Sequence, residues 1–232
     1  MPADELSRDV AVVLAVKDLA AAKSRLAGRF AHDDDRRALV AAMFADTLAA
    51  VRAAGLSRVI VVSPDRDVHA RVADFGALAV DEPARGGLNA ALSHGADVAR
   101  DRWASSRIVF LQADLPALSA ESLDGAIDDA AAHPAAFVAD RAGLGTVLLS
   151  IAADSGFAPA FGNGSAQAHR VRGAVELRPA ADRWPDLRAD VDTPDDLRHV
   201  ALLGVGPHTR TVLDRPRPPR ARARTGPMGN NG

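Results

Sequence analysis

The chain has 232 residues, of which 48% are apolar and only 4% aromatic, and its formal net charge is −2. This length is sufficient for one α/β domain with a full core, and the aliphatic composition is typical of a globular protein. The absence of cysteine excludes disulfide frameworks and thiolate metal sites. No apolar run approaches about 18 residues, so we expect no membrane span and a cytoplasmic protein.

Apolar runs of strand length alternate along the chain with segments of helical periodicity. The predicted strands are Val10–Val16, Val59–Val62, Ala77–Val80, Ile108–Leu111, Ala136–Ala139 and Thr146–Ile151. The predicted helices are Asp35–Ala54, Asp67–Phe75, Leu88–Arg102, Ala120–Ala132, Ser165–Arg172 and Pro194–Leu203. Such alternation favours right-handed crossovers and a mainly parallel sheet that is covered on both faces. Ligands of these sheets bind beyond the carboxyl ends of the strands.

The composition changes near the end of the chain. Residues 207–232 are rich in proline and arginine, so they cannot offset their ordering entropy by apolar burial. We therefore predict a single domain over residues 1–206 and a disordered tail over residues 207–232.

Three cationic side chains follow the first predicted strand: Lys17, Lys23 and Arg25. Cations beyond the end of a buried strand offset the charge of bound phosphate groups. The arrangement favours a triphosphate-binding loop in which these residues bind the nucleotide and assist its reaction. A solvated basic turn is the alternative, and the spacing does not separate the two.

Three aspartates lie in segments that suit a divalent cation. Asp114 follows the fourth predicted strand, whereas Asp190 and Asp192 are two residues apart, so in an extended segment their carboxylates point to the same side. Carboxylates of this kind hold Mg²⁺ together with nucleotide phosphates. The alternatives are a turn aspartate at Asp114 and a helix start at Thr193 and Pro194, which leaves Asp190 unexplained.

Glycine-containing turns supply the remaining candidates. Gly162 and Ser165 open a predicted helix, where an anion can bind, and Thr146 follows a second glycine-rich turn. Asn89 follows Gly86–Gly87, where the backbone can approach a nucleotide base and the amide can bond to it. Each of these turns is also compatible with ordinary capping or with a hairpin.

Several enzyme classes lack their motifs in this sequence. The seven histidines are scattered, with no HExxH spacing, so we expect His169 and the other helical histidines to be structural or surface residues. There is no GxSxG, Walker A or GxGxxG sequence. Serine hydrolysis and dinucleotide redox chemistry therefore have no support.

Taken in chain order, these segments resemble the 2-phospho-L-lactate guanylyltransferase family, including its actinobacterial phosphoenolpyruvate guanylyltransferase branch. The resemblance covers residues 10–207 and leaves out the tail. The matching stretches are Ala15–Lys17 with Ala22–Leu26, Leu111–Leu118, Ala139–Arg141 with Gly145–Thr146, Phe161–Gly162 with Ser165 and His169–Arg170, Gly173–Leu177, and Asp190–Pro194.

The resemblance implies a nucleotide-diphospho-sugar-transferase-like, Rossmann-like α/β fold. It also implies that the phosphate of a small phosphorylated carboxylic acid attacks the α-phosphorus of GTP, with Mg²⁺ bound and pyrophosphate leaving, in coenzyme F-420 biosynthesis. Carried over residue by residue, the metal ligands are Asp114, Asp190 and Asp192, the acceptor-binding residues are Thr146, Gly162 and Ser165, and the triphosphate-binding residues are Lys17, Lys23 and Arg25.

Alternatives to this function stay open at the level of the sequence. A related nucleotidyltransferase can use another acceptor, such as 3-phosphoglycerate or molybdopterin, or CTP in place of GTP. A non-catalytic nucleotide- or RNA-binding protein would use the arginine-rich tail, but the tail offers no aromatic platform. The candidate phospho-acids each carry one phosphate and one carboxylate, so these groups do not rank them. The Ala- and Arg-rich composition indicates a GC-rich bacterial genome, which favours phosphoenolpyruvate as the acceptor. We expect no membrane or nucleic-acid partner.

Overall fold

The computed structural model describes residues 9–19, 23, 25–26, 32–177 and 183–215. Its strands are β1 (Val10–Ala15), β2 (Arg58–Val62), β3 (Leu78–Val80), β4 (Arg107–Leu111), β5 (Ala135–Ala139), β6 (Thr146–Ala152) and β7 (Val175–Glu176). Its helices are α1 (Asp33–Ala53), α2 (Arg66–Asp74), α3 (Gly87–Arg102), α4 (Ala120–Ala130), α5 (Ser165–Val171), α6 (Pro194–Leu203) and α7 (Pro207–Leu213). None of these described helices is both long enough and apolar enough to cross a bilayer.

The described strands form one sheet in the order β3-β2-β1-β4-β6-β5-β7. β1 pairs in parallel with β2 and β4, so that Val12 lies opposite Val59 on one side and Val109 on the other. β6 runs antiparallel to β4 and to β5, because the short turn between β5 and β6 leaves no room for a crossover helix. The prediction of a mainly parallel α/β sheet is confirmed, with β6 as the exception.

Side-chain alternation along β1 divides the core into two layers. Val12 and Leu14 pack with α1, α2, α4 and α6, whereas Ala11 and Val13 pack with α3 and α5. α3 approaches the sheet closely, since a Cβ atom at Gly95 would lie 2.6 Å from Val13 Cγ1. Glycine is therefore required at this contact.

The strand order reverses beside β1. The chain runs from β1 to β2 and β3 on one side and then returns to β4 on the other. In sheets of this kind the crevice at the carboxyl ends of such strands binds ligands. The segments that begin at Val16 and at Gln112 both start at this crevice, so the fold brings together the predicted triphosphate-binding segment and Asp114.

The domain continues past the predicted boundary at residue 206. Residues Pro207–Leu213 form α7, which packs on α1. The buried carboxylate of Asp46 in α1 accepts hydrogen bonds from the backbone N–H groups of His208, at 3.0 Å, and Thr209, at 2.8 Å. The prediction of a disordered tail is wrong for α7, because the group that caps this helix lies far earlier in the chain. The tail from residue 216 onward falls outside the described residues.

Replacing Asp46 with alanine is expected to lower the free energy of unfolding by about 2–4 kcal/mol, because two backbone N–H groups lose their acceptor. Urea unfolding followed by circular dichroism measures this loss. The control is Asp195→Ala, which removes an exposed α6 carboxylate paired with Arg198 and is expected to cost about 0.5 kcal/mol or less. Equal stability of the Asp46→Ala variant and the unchanged protein would contradict the capping role.

Candidate active site

A cleft of about 430 Å³ opens at the carboxyl ends of β1 and β4. It is bounded by the segments that follow these strands, by α1 and by the start of α3. The predicted site residues that line it are Lys17, Lys23, Arg25, Asp114 and Asp192. The predicted triphosphate-binding residues and two of the predicted metal ligands therefore share one cleft.

An ion-pair network joins distant segments inside this cleft. The Lys23 ammonium donates to a carboxylate oxygen of Asp114 and to Oδ1 of Asp192, which is 2.6 Å away. Burial lowers the pKa of Lys23, but the two carboxylates outweigh burial and raise the pKa above its ordinary value. Lys23 therefore stays charged, while Lys17 and Arg25 line the same cleft with exposed side chains.

Asp190 belongs to the same acidic cluster. Burial, and then the negative charges of Asp114 and Asp192, raise its pKa to about 7, and the charge of Lys23 opposes this shift only in part. The buried Oδ1 atom of Asp114 has no hydrogen-bond partner within the described residues. A cluster of this kind needs more positive charge than Lys23 supplies.

The carboxylates of Asp114, Asp190 and Asp192 are the type of ligand that a divalent cation needs, but their positions in this structure do not form a metal site. Hard oxygen donors and the unsatisfied oxygen of Asp114 are what Mg²⁺ requires. In the described part of the chain, no three acidic or histidine side chains are arranged to hold a metal ion as they stand. The ammonium of Lys23 lies between Asp114 and Asp192 in this arrangement, so a cation already links these two carboxylates.

The two turns that were predicted to bind an acceptor contact each other. The backbone N–H of Ala166 donates to the carbonyl of Leu144 at 3.1 Å. The carboxylate of Asp140 closes the first turn by accepting from the N–H groups of Leu144, at 2.9 Å, and Gly145, at 2.8 Å. A Cβ atom at Gly145 would lie 2.5 Å from Asp140 Oδ2, so the turn that leads into Thr146 requires glycine.

The second turn places Ser165 at the first residue of α5. Gly162 and Gly164 have φ angles of +126° and +70°, which L side chains rarely adopt. The N–H of Ser165 donates to the carbonyl of Gly162 at 3.1 Å, and only 1% of Ser165 is exposed. Its backbone donor is thus used within the turn, so the predicted contact with an acceptor would depend on its hydroxyl.

His169 links the two turns and is fully buried. Its Nε2 accepts from the N–H of Ala160 at 3.0 Å, so the proton of the neutral ring lies on Nδ1, which is 2.9 Å from Thr146 Oγ1. The ring therefore donates to Thr146 and leaves the threonine proton for another acceptor. Burial, and then the charge of Arg172, lower the pKa of His169 to about 4, which keeps the ring neutral near pH 7.

Asn89 also holds the second turn in place. Its Nδ2 donates to the carbonyl of Phe161 at 2.9 Å, and its Oδ1 accepts from the N–H of Phe161 at 2.7 Å. The Phe161 ring in turn packs edge-on against Phe110 and His169. The amide of Asn89 thus fixes the residue before Gly162, and its binding of a nucleotide stays a prediction.

Two residues that shape the first turn received no role from the sequence: Asp140, which was noted only as part of a matching stretch, and Arg188, which was not noted. Arg188 donates to the carbonyls of Ala139, at 3.2 Å, and Asp140, at 3.0 Å. Asp140 carried a local signal, since an aspartate before a glycine-rich turn commonly accepts from the turn's own N–H groups. Arg188 carried none, because its partners lie 48 and 49 residues away in the chain.

Comparison of the sequence and the structure with known proteins identifies a family and related folds. The family described as "Guanylyl transferase CofC like" matches residues 10–217. The phosphoenolpyruvate guanylyltransferases of Streptomyces scabiei and Streptomyces coelicolor are 47% and 45% identical over 209 and 205 residues, and each match covers 88% of this chain and 95% of the relative. A crystal structure from Desulfovibrio desulfuricans, assigned to the nucleotide-diphospho-sugar transferases, has a TM-score of 0.65 at 18% identity, covering 89% of this chain and 94% of that one. This likeness confirms the predicted fold.

The buried His169 predicts a pH dependence of stability. Its pKa is about 4 in the folded chain and 6.5 in the absence of perturbation, so the unfolded state binds the proton first as the pH falls. The contribution of the neutral His169 ring to the free energy of unfolding is fully present above pH 6.5. It is expected to fall by about 2 kcal/mol by about pH 4.5. Urea unfolding at several pH values measures the slope. The His169→Asn variant, which cannot titrate there, is expected to give a shallower slope, and equal slopes would contradict the assignment.

Proposed function

We propose that this chain, which belongs to the family of CofC-like guanylyl transferases, transfers GMP from GTP to the phosphate of phosphoenolpyruvate and releases pyrophosphate. This reaction belongs to coenzyme F-420 biosynthesis. The observation that carries the proposal is the cleft in which Lys17, Lys23 and Arg25 lie beside an acidic cluster, in a chain with close phosphoenolpyruvate guanylyltransferase relatives.

The basic side of the cleft is assigned to GTP. An anionic acceptor is repelled by the triphosphate, and fixed cations reduce this repulsion where charge develops. Lys17 and Arg25 are exposed in the cleft, and Lys23 is already desolvated and charged. Lys23 therefore needs only to exchange carboxylate oxygens for phosphate oxygens when the nucleotide binds.

The acidic side of the cleft is assigned to Mg²⁺. Asp114, Asp190 and Asp192 would hold the ion, and Asp114 offers a buried oxygen without a hydrogen-bond partner in the described residues. Bound there with the triphosphate, Mg²⁺ supplies Lewis-acid stabilisation of the charge on the leaving pyrophosphate. The aspartates themselves keep the local charge negative enough to attract both this cation and the Lys23 ammonium.

The two glycine turns are assigned to the acceptor. The Thr146 hydroxyl accepts from His169 and so directs its own proton elsewhere, and the Ser165 hydroxyl lies at the start of the neighbouring α5. Both hydroxyls, with the backbone at Gly162, can bind the carboxylate of phosphoenolpyruvate and leave its phosphate to attack the α-phosphorus of GTP. No general base is required, because a phosphate monoester is largely ionised near neutral pH.

The experiment that tests the proposal combines the purified chain with GTP, Mg²⁺ and phosphoenolpyruvate, and follows pyrophosphate release and the guanylylated product. Matched reactions contain 2-phospho-L-lactate or 3-phosphoglycerate as the acceptor, or CTP as the nucleotide. Phosphoenolpyruvate and GTP are expected to give the highest kcat/KM. A higher value with another acceptor or with CTP would overturn the assigned substrate, and no pyrophosphate release with any pair would overturn the enzymatic function.

Removing a hydroxyl from the acceptor side is expected to separate the two substrates. Thr146→Ala and Ser165→Ala should each raise the KM for phosphoenolpyruvate about 10- to 150-fold, because a hydrogen bond to a charged ligand is lost. The KM for GTP should stay nearly unchanged, whereas Lys23→Ala should show the opposite pattern. Thr146→Ser keeps the hydroxyl and serves as the matched control. Steady-state kinetics with each substrate varied in turn measure both KM values. If one substitution raised both together, the assignment of separate sides of the cleft to GTP and to the acceptor would be wrong.

Removing a carboxylate from the acidic side is expected to abolish most of the turnover. Asp192→Asn should reduce kcat about 100-fold or more, while its fold is kept, because Thr193 and Asp196 still form the capping box of α6. The rate as a function of Mg²⁺ and the thermal shift produced by Mg²⁺ with GTP measure the loss. Asp195→Asn, on the exposed first turn of α6, is the control. Near-normal turnover of Asp192→Asn at ordinary Mg²⁺ would contradict the assignment.

A further inference from the structure

The segment after β3 reaches a recess beside this cleft and has no role in the assignments above. β3 runs parallel to β2, so its carboxyl end lies at the same edge of the sheet as the ends of β1 and β2. Glu82, two residues beyond β3, lines a narrow recess together with Val62 and Ala91. The recess adjoins the cleft, and the residues that line both are Ala15, Val16, Lys17 and Leu88.

The carboxylate of Glu82 lacks a partner in the described chain. Glu82 is partly buried, and it makes no hydrogen bond or ion pair within the described residues. The neighbouring Asp81 differs, since it is exposed and forms an ion pair with Arg66 at 3.8 Å. A carboxylate beside apolar walls loses hydration, and N–H donors from a ligand offset that loss.

The end of the cleft beside the recess suits the base of a nucleotide. The recess itself has a volume of only about 10 Å³, which is too small for a base. The wall that it shares with the cleft is aliphatic at Ala15, Val16 and Leu88, and such a wall packs against the face of a flat aromatic ring. A nucleotide with its triphosphate beside Lys23 and Asp114 must place its ribose and base elsewhere in the cleft. The end of the cleft next to Glu82 offers the base a carboxylate at its edge.

A carboxylate at that position distinguishes guanine from other bases. Guanine presents two adjacent donors, N1–H and the 2-amino group, which match the two oxygens of one carboxylate. Adenine and cytosine present an unprotonated ring nitrogen there, which would face the carboxylate as a second acceptor. Leaving that carboxylate unpaired carries a penalty, so the contact rejects the wrong base as well as binding the right one.

We propose that Glu82 selects guanine by accepting hydrogen bonds from N1–H and the 2-amino group of GTP. The proposal rests on the proposed function, because it takes GTP as the nucleotide of this cleft. Glu82 touches only the base in this assignment, so it sets nucleotide specificity and takes no part in the transfer of the guanylyl group.

The test measures kcat/KM for GTP, ITP and XTP with phosphoenolpyruvate as the acceptor. ITP lacks the 2-amino group, and XTP carries an oxygen acceptor in its place. The unchanged protein is expected to prefer GTP over ITP about tenfold or more. Glu82→Gln presents one acceptor and one donor, which match xanthine, so kcat/KM should fall about 10- to 150-fold for GTP and rise for XTP.

The matched control is Asp81→Asn, which makes the same change of charge at the neighbouring residue. It is expected to keep the GTP-to-XTP ratio of the unchanged protein. If Glu82→Gln lowered kcat/KM for GTP and for XTP by the same factor, the proposal would be overturned. Equal kcat/KM values for GTP and ITP in the unchanged protein would also overturn it, and that comparison does not depend on the folding of a variant. Turnover of GTP by the unchanged protein tests the proposed function separately, so failure of the one is distinguished from failure of the other.

Discussion

The contact of the Lys23 ammonium with Asp114 and Asp192 is the interaction on which the site depends. Asp114, Asp190 and Asp192 are brought together by the end of β4 and by the segment before α6, and such a cluster is unfavourable without a cation. The attraction also holds Lys23 at a φ of +55°, a conformation that costs an L residue roughly 1–2 kcal/mol. One cation thus connects the segment after β1 with two others from much later in the chain.

The opposite side of the cleft is held by hydrogen bonds rather than by opposite charges. Asp140 closes the turn before Thr146, Asn89 bonds to both backbone groups of Phe161, and His169 joins the two turns. All of these contacts are made between the protein's own groups, so the fold itself holds the two turns in place. The side that contains Lys23 differs, because its cation and carboxylates are paired with one another. Under the proposed function, these groups exchange partners when phosphates and a metal ion bind.

The sequence predicts the sheet and its functional edge because these follow from local patterns. Apolar runs such as that at Val10–Ala15 alternate with helical periodicity, and the rule for parallel sheets then places Asp114 and the basic segment at one edge. What it does not predict depends on contacts between distant residues. The amide of Asn89 is bound by Phe161, 72 residues later, and α7 is capped by Asp46, 163 residues before Thr209. The periodicity of α3 and the composition of the tail carry no trace of these partners.

The state of His169 bears on the chemistry of the whole site. A buried histidine beside a threonine that is proposed to bind substrate resembles a general base, but a base must be able to take up a proton near the working pH. His169 has a pKa of about 4, and both of its ring nitrogens are already engaged, one by Ala160 and one by Thr146. Its contribution is therefore to fix the direction of a hydroxyl. That is consistent with a nucleophile that arrives already ionised, as the phosphate of a phospho-acid does, and with catalysis that rests on positioning and on the charges at the other side of the cleft.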